Sequence, residues 1–271
     1  MIILGDTHGD WSNLNDFINK KQPTNVIICG DFGYWPNFAK HDLKKIKNHN
    51  TNIYWCPGNH ESWDALNKIG RIGKDPIEIH PRIFYCPIGS TKTLEGKKYI
   101  FLGGADSIDK DFRTLGVDYF DTETLTNGDI TKIEEMYNNI YPEVDTVISH
   151  TCPTFISEEI KYRKNNSFDI SRCLAKSEDP TCHALDYLFD KLKPKQWYFG
   201  HWHFYIQLLA KECNFIGLDY IKGNSKYFEK IEPCPDCQLD LLAMKFNLIA
   251  NMHDIPKEYI DIINEHFWDL I

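Results

Sequence analysis

Three short apolar runs at the start of the chain each lead into a glycine that is followed by a polar residue. The runs are 2–4, 26–29 and 53–56, and the pairs after them are Gly5-Asp6, Gly30-Asp31 and Gly58-Asn59. Asp6 and Asp31 are 25 positions apart, and Asp31 and Asn59 are 28 apart. A strand, a crossover helix and the next parallel strand need about this length, so we expect the three polar tips at the carboxyl edge of one sheet.

The pattern changes in the middle of the chain. Apolar runs at 77–79, 83–85 and 99–102 are short and are separated by turn residues, which predicts antiparallel strands. We expect a helix over about 129–140, because its apolar residues recur on one face, and a strand over 144–148 that leads to His150.

The second half of the chain brings further ligand-type residues to strand ends. A helix is predicted over 183–192, a strand over 197–199 and closing strands over 206–209 and 215–218. The strand at 197–199 is followed by Gly200, His201 and His203. The charged stretch 158–180 reads as a surface loop or lid-like insertion, whose basic residues we interpret as a solvated face.

We expect one domain over 1–271, with 231–271 as a C-terminal helical appendage. Cys234-Pro-Asp-Cys237 could be half of a zinc site or a redox pair. No second paired cysteine motif accompanies it, so we interpret it as structural. The odd number of cysteines, nine, favours mostly reduced, buried thiols.

Composition and charge argue against a membrane-spanning protein and against a strong binder of duplex DNA. A content of 42% hydrophobic and 25% charged residues is typical of a compact soluble chain. We see no basic leader and no apolar run long enough for a membrane span, so we expect a cytoplasmic protein without membrane contact. A net charge of -9 argues against strong binding of duplex DNA, although a metal site could still attract phosphates locally.

Five short elements carry the candidate chemistry. They are Gly5-Asp6-Thr7-His8-Gly9, Gly30-Asp31-Phe32-Gly33, Gly58-Asn59-His60-Glu61, Ser149-His150-Thr151 and Gly200-His201-Trp202-His203. Their carboxylate, amide and imidazole donors suit Mn²⁺, Fe or Zn²⁺ better than Ca²⁺. A single such residue is usually a cap or a satisfied polar group, but seven ligand-type residues at strand ends favour a metal centre.

These elements resemble the ordered motifs of the calcineurin-like metallophosphoesterases, D-x-H, G-D, G-N-H-[ED], H and G-H-x-H. The resemblance covers about residues 1–205. It implies an α/β fold, a two-layer β-sandwich of mixed sheets flanked by helices (αββα), and two divalent metal ions at its carboxyl edge. Mn²⁺ is the metal that we expect first, with Fe or Zn²⁺ as alternatives.

The resemblance also implies a role for each site residue. It places Asp6, His8 and His203 on one metal and Asn59, His150 and His201 on the other, with Asp31 bridging both. A hydroxide that bridges the two metals would attack the phosphate ester. His60 would protonate the departing oxygen as general acid or stabilise charge on the phosphoryl group.

The chain departs from the protein Ser/Thr phosphatase branch after Asp31. That branch has G-D-x-x-D-R-G, but here Asp31 precedes Phe32-Gly33-Tyr34-Trp35-Pro36, so its aspartate and arginine are missing. Tyr34 and Trp35 could form an aromatic wall that stacks on a nucleobase, and core packing would explain them equally well.

The segment 103–113 resembles a stretch in bacterial and viral members of the broad family. Arg113 could supply the missing contact to phosphate, with Asp106 or Asp109 orienting its guanidinium group.

The sequence therefore predicts a metallophosphoesterase. A phosphodiester or small nucleotide is slightly preferred as the substrate, and the alternative is protein Ser/Thr or other phosphomonoester dephosphorylation. A non-catalytic scaffold for protein binding is the competing class, but it would be expected to lose ligands, and none is lost.

Overall fold

Two six-stranded mixed sheets form the centre of the protein. The computed structural model describes residues 1–48, 50–107, 109–164 and 179–231. Within the unit Met1–Ile231, helices flank the two sheets in the predicted α/β sandwich. The predicted appendage at 231–271, including Cys234 and Cys237, lies outside the described residues except for Ile231, so the single-domain assignment stays a prediction.

The first sheet contains the three predicted parallel strands as neighbours. Its strands are β1 (Ile2–Leu4), β2 (Asn25–Ile28), β3 (Asn52–Trp55), β4 (Ile77–His80), β5 (Ile83–Tyr85) and β12 (Phe228–Lys230). Their order is β12-β1-β2-β3-β5-β4, in which β1, β2, β3 and β5 are parallel and the two edge strands are antiparallel. The polar residues that follow β1, β2 and β3 therefore share one edge, as the spacing predicts.

The second sheet repeats this arrangement. Its strands are β6 (Thr91–Leu94), β7 (Lys97–Leu102), β8 (Thr146–Ser149), β9 (Gln196–Phe199), β10 (Ile206–Ala210) and β11 (Cys213–Gly217). Their order is β10-β11-β9-β8-β7-β6, with a parallel centre and antiparallel edges. The histidine-bearing segments after β8 and β9 consequently lie side by side.

Five α-helices lie among the described residues. They are α1 (Trp11–Lys21), α2 (Trp63–Ile69), α3 (Asn127–Met136), α4 (Thr154–Lys164) and α5 (Pro180–Leu192). The first begins where the Asp10 carboxylate accepts a hydrogen bond from Asn13 N, and its buried residues recur at helical spacing. No helix in the described ranges has the length and apolar character needed to cross a membrane.

Each central strand is buried on both faces, which explains the unbroken apolar runs. Ile3, Ile27 and Phe101 belong to a cluster that contains residues of both sheets. Their neighbours, such as Leu4 and Ile28, belong to the cluster that includes the helix residues. Alternate side chains thus fill the layer between the sheets and the layers beneath the helices.

Two local predictions are wrong in detail, and a third is confirmed in part. The described residues between β2 and β3 form two short 3₁₀ helices, Ala39–His41 and Leu43–Lys45, in place of a crossover helix, because extended backbone at Asp42 separates them. The antiparallel strands predicted within 77–104 are confirmed as two hairpins, β4–β5 and β6–β7, but the hairpins lie in different sheets, where β5 and β7 also pair in parallel with β3 and β8. The start of the expected loop 158–180 belongs to α4; its remainder lies largely outside the described residues.

The prediction of reduced, buried thiols is confirmed for the cysteines that the structure describes. Six of them are free and buried, at positions 29, 56, 86, 152, 182 and 213.

Arg71 fixes the segment that precedes α3. Its guanidinium group donates to the carbonyls of Thr122 and Thr124 and forms an ion pair with Asp129, with 2.9 Å between Nη2 and Oδ2. Burial opposes ionisation of Asp129, but hydrogen bonds from Arg71 outweigh it and lower the pKa of that carboxyl. The held segment includes Glu123, which supports the candidate site.

Substituting Asp129→Asn is expected to lower the free energy of unfolding at pH 7 by about 2–4 kcal/mol, because Arg71 would lose a buried anionic partner. The lowered pKa of Asp129 means that its contribution is present above the unfolded carboxyl pKa of about 4 and is lost as the pH falls. Urea denaturation between pH 7 and pH 3 should therefore show the gap to the wild type closing with acid. Asp190→Asn, at an exposed position, is the control, and a gap independent of pH would contradict the assignment.

Candidate metal centre

The carboxyl ends of five parallel strands bring the seven predicted ligands into one place. Asp6, Asp31 and Asn59 follow β1, β2 and β3 of the first sheet, and His150, His201 and His203 follow β8 and β9 of the second. His8 lies two residues beyond Asp6. The contacts below connect all seven side chains, so residues 195 positions apart in the chain become neighbours.

One group consists of Asp6, His8, Asp31 and His203. Each offers a donor atom, and these atoms all lie within 4.8 Å of one another. His203 Nε2 is 3.2 Å from Asp6 Oδ2 and 3.0 Å from His8 Nε2. Donors that share one ion at about 2.0–2.2 Å lie about 3 Å apart, so this group could hold a metal ion.

A second group surrounds His150 Nε2. That nitrogen lies 2.9 Å from Asn59 Oδ1, 3.2 Å from His201 Nδ1 and 3.3 Å from Asp31 Oδ1. Its hydrogen-bonding capacity cannot satisfy three such neighbours at once, since each imidazole nitrogen either donates one bond or accepts one. A cation at their centre would be coordinated by all of them.

Asp31 lies between the two groups. Its Oδ1 faces His150, whereas its Oδ2 is 3.6 Å from His8 Nδ1. Oδ1 also accepts a hydrogen bond of 2.8 Å from the backbone of His60, which sets the orientation of the carboxylate. This placement fits a carboxylate shared by two ions.

Backbone and side-chain contacts orient the candidate ligands. His150 Nδ1 is 3.0 Å from the Cys29 carbonyl, so the ring donates there and leaves Nε2 free as a donor to a metal. Asn59 Nδ2 donates to Ser107 Oγ, which directs its Oδ1 toward His150. Ser107 N in turn donates to Glu123, within the segment that Arg71 holds.

Three motif glycines make room for these side chains. A Cβ atom at Gly58 would lie 2.1 Å from Asp31 Oδ1, and one at Gly200 would lie 1.9 Å from Asp6 Oδ1. At Gly30, it would lie 2.1 Å from the His150 ring. Any larger residue at these three positions would displace a candidate ligand, which explains why glycine occupies them.

Four of the candidate ligands have backbone in the left-handed region. The φ angles of His8, Asp31, His201 and His203 are 48°, 42°, 63° and 52°. Such non-glycine conformations cost about 1–3 kcal/mol each and persist where the surrounding structure enforces them. Here the sharp turns after β1, β2 and β9 direct the side chains inward.

The electrostatics of the site fit bound cations. Asp6 and Asp31 are 0% and 1% exposed, and among the described residues their ion-pair partners are all histidines. Burial opposes protonation of His150, yet Asp31 and Asp6 raise its pKa to about 9. Burial lowers the pKa of His201 well below its usual range, and that ring stays neutral and available as a ligand. Two buried carboxylates without a Lys or Arg partner require positive charge from elsewhere.

Glu61 holds the loop after β2. Its buried carboxylate accepts hydrogen bonds from the backbone N–H groups of Phe32, Gly33 and Tyr34, at 2.6 Å for Phe32. Burial and the nearby charge of Asp31 raise the pKa of Glu61 to about 8, while the three N–H donors oppose that shift. The last residue of the G-N-H-E element therefore positions the loop that carries Asp31.

His60 and Arg113 form a pair beside this centre. His60 Nε2 is 4.0 Å from Asp31 Oδ2, and Arg113 Nη2 is 2.9 Å from both ring nitrogens of His60. Asp109 orients the guanidinium group through a 2.8 Å ion pair, whereas Asp106 pairs with Lys110. Of the two predicted orienting residues, Asp109 is therefore the one in contact with Arg113.

Tyr34 and Trp35 line a groove of about 350 Å³, which we call the aromatic groove. Both are half-buried and pack against the core, and the Trp35 indole donates to the His60 carbonyl at 3.0 Å. Phe38 and Phe120 lie on the same groove. The two alternatives for this aromatic pair are thus compatible, because one face packs inward and another borders open space.

Sequence reasoning identified every candidate ligand but missed the groups that support them. Glu61 belongs to a recognised motif, so its role was accessible from the sequence. Ser107 and the Cys29 carbonyl carry no signal, because their contacts depend on segments that meet only after folding.

Comparison with known families agrees with this geometry. The family model of calcineurin-like phosphoesterases matches residues 1–205, about three quarters of the chain. The chain belongs to this family. It is accordingly a hydrolase of ester bonds that acts on a phosphorylated substrate, in a family that uses dinuclear metal centres, and its Asp/His cluster is a possible metal site.

Solved structures and curated proteins add little beyond the family. A phosphopantetheinyl hydrolase from Mycobacterium tuberculosis is 12% identical, with 86% of this chain and 96% of that chain covered and a TM-score of 0.44. A predicted phosphoesterase from Streptococcus pneumoniae is 12% identical, with 81% and 71% covered and a TM-score of 0.32. Similarity at this level carries no inference about substrate. No curated protein matches the sequence.

Glu61→Gln is expected to weaken metal binding about 10–100-fold. The NH₂ group of the new amide would replace one of the two oxygens that accept hydrogen bonds from backbone N–H groups, and two donors would then face each other. Titration with Mn²⁺, followed by metal analysis after dialysis, measures the change. Glu212→Gln, at an exposed turn, is the matched control. Equal affinities of the two variants would contradict the positioning role.

Proposed function

We propose that this protein hydrolyses a phosphodiester or a small nucleotide at a centre of two divalent cations. The proposal rests on one observation above all, the two donor groups that share Asp31. Asp6, His8 and His203 would hold one ion, and Asn59, His150 and His201 the other. Manganese is the proposed metal, with iron or zinc as alternatives, since the donors mix carboxylate, amide and imidazole.

Bound cations would polarise the phosphoryl oxygens and lower the pKa of a water molecule that serves as nucleophile. Asp31 would hold both ions at a fixed separation through its two oxygens. The orienting contacts of Asn59 and His150 keep their donor atoms in place, so little reorganisation is needed when substrate arrives.

His60 is the proposed general acid. Burial lowers its pKa, Asp31 opposes this effect and Arg113 adds to it. An anionic phosphoryl group beside the ring would favour the protonated form and help His60 to deliver its proton to the departing oxygen.

Arg113 is the proposed phosphate contact. Its side chain is only 11% exposed, and Asp109 holds the guanidinium group beside His60. A planar guanidinium group matches two phosphoryl oxygens, a role that a lysine would fill less well.

Substrate preference rests on the surroundings of the centre. Trp35, whose indole donates to the His60 carbonyl, lines the aromatic groove with Tyr34, and this groove could accept a flat organic group. Such a group occurs on both sides of many phosphodiesters. Protein dephosphorylation is the second candidate, but the aspartate and arginine typical of that branch are absent after Asp31.

Manganese-loaded protein is expected to hydrolyse bis-p-nitrophenyl phosphate faster than p-nitrophenyl phosphate, and the ratio of the two rates separates diester from monoester activity.

His60→Gln should lower kcat about 10²–10⁴-fold through loss of proton transfer. Asp31→Asn should abolish turnover and weaken metal binding as well. His80→Gln, outside the motifs, is the control. Absence of turnover of either ester by protein that holds two metals would overturn the proposal.

Arg113→Ala is expected to lower kcat/KM at least about tenfold, because a charged hydrogen bond to phosphate is lost. Arg113→Lys should recover only part of this loss, since an ammonium group cannot make the paired contact. Steady-state kinetics on the preferred ester tests both variants. Unchanged kinetics for Arg113→Ala would remove the residue from the site.

A further inference from the structure

A second cavity is lined in part by His8, one of the candidate ligands. Its volume is about 800 Å³, and its lining includes His8, Asp10, Lys40, Lys45, Tyr220 and Lys222. This volume is within the range of about 300–1,000 Å³ that is usual for small-molecule sites. We call it the lysine cavity.

The lysine cavity is rich in positively charged residues, although the protein as a whole is negatively charged. The chain carries a net charge of -9, yet three lysines meet in this one concavity. Lys222 is 3.7 Å from Asp10, whereas no ion pair among the described residues involves Lys40 or Lys45. Among the described residues, Lys40 and Lys45 therefore have no anionic partner in the lining of this cavity, where a bound anion would be attracted.

The lysine cavity is continuous with the candidate metal centre. His8 belongs to the first donor group and also lines the cavity. The ring of Tyr220, another lining residue, is 5.0 Å from that of His203. Helix α1 begins at the cavity wall with Trp11, so its N-terminal dipole adds favourable potential for an anion, although Asp10 caps this end.

We propose that the lysine cavity binds a second phosphate group of the substrate, distinct from the phosphate that is cleaved. This inference rests on the proposed function and specifies its substrate class as a small ester with two separated phosphate groups. The cleaved group would lie at the donor groups shared by Asp31. The second group would contact Lys40 and Lys45.

A matched pair of probes isolates the second phosphate. Thymidine 5′-(p-nitrophenyl phosphate) and its 3′-phosphorylated form release the same p-nitrophenolate and differ only in that group. Wild-type protein is expected to favour the 3′-phosphorylated probe in kcat/KM by about tenfold or more, the effect of one or two charge-assisted contacts. A ratio near one would overturn the proposal.

Two double variants separate the lysine cavity from general charge. Lys40→Ala with Lys45→Ala should bring the ratio of kcat/KM values for the two probes close to one. Lys44→Ala with Lys47→Ala removes the same charge from exposed positions of the same segment that do not line the cavity, and it should keep the wild-type ratio. Equal ratios in the two double variants would contradict a specific site.

A binding measurement distinguishes failure of this inference from failure of the proposed function. Calorimetry on the manganese-loaded His60→Gln variant compares thymidine 3′,5′-bisphosphate with thymidine 5′-monophosphate. Tighter binding of the bisphosphate that depends on Lys40 and Lys45 would support the cavity even if neither probe were hydrolysed, in which case the proposed function alone would fail. Hydrolysis without any difference between the ligands or probes would overturn the cavity and leave the proposed function standing.

Discussion

The buried negative charge of Asp6 and Asp31 is the constraint on which the rest of the site depends. Both carboxylates lie at the edge where the two sheets meet, and histidines are their ion-pair partners in the part of the chain that the structure describes. Carboxylates in such a place require compensation by protons or cations. Asp31 and Asp6 raise the pKa of His150, so a proton on that ring would offset part of their charge, and the surrounding donors are arranged so that metal ions could replace this proton.

The fold holds these charges together by small, specific devices. Glycines before the polar tips leave space for the ligand side chains, and left-handed backbone at His8 and His203 directs their rings inward. Supporting contacts then extend outward, from Asn59 through Ser107 to the segment that Arg71 anchors. Strain near the centre is thus balanced by well-satisfied hydrogen bonds around it.

Two different surfaces flank the centre. The aromatic groove contains Trp35, whose indole donates to the His60 carbonyl, and the lysine cavity is lined by His8 and three lysines. A metal pair alone treats many phosphate esters alike, since it contacts only the group that is cleaved. Discrimination among substrates must then come from these flanks.

The sequence by itself predicted a group of candidate ligands at the edge of a parallel sheet, because strand-end motifs are local and their spacing is constrained by geometry, and the resemblance of these motifs to a known family supplied the sandwich fold. It also pointed to Arg113, whose place beside His60 the structure shows. Only the tertiary structure decided which strands pair across the two hairpins, how Glu61 holds the Asp31 loop, and that Lys40 and Lys45 share a cavity with His8. These features depend on contacts between distant segments, and no periodicity along the chain encodes them.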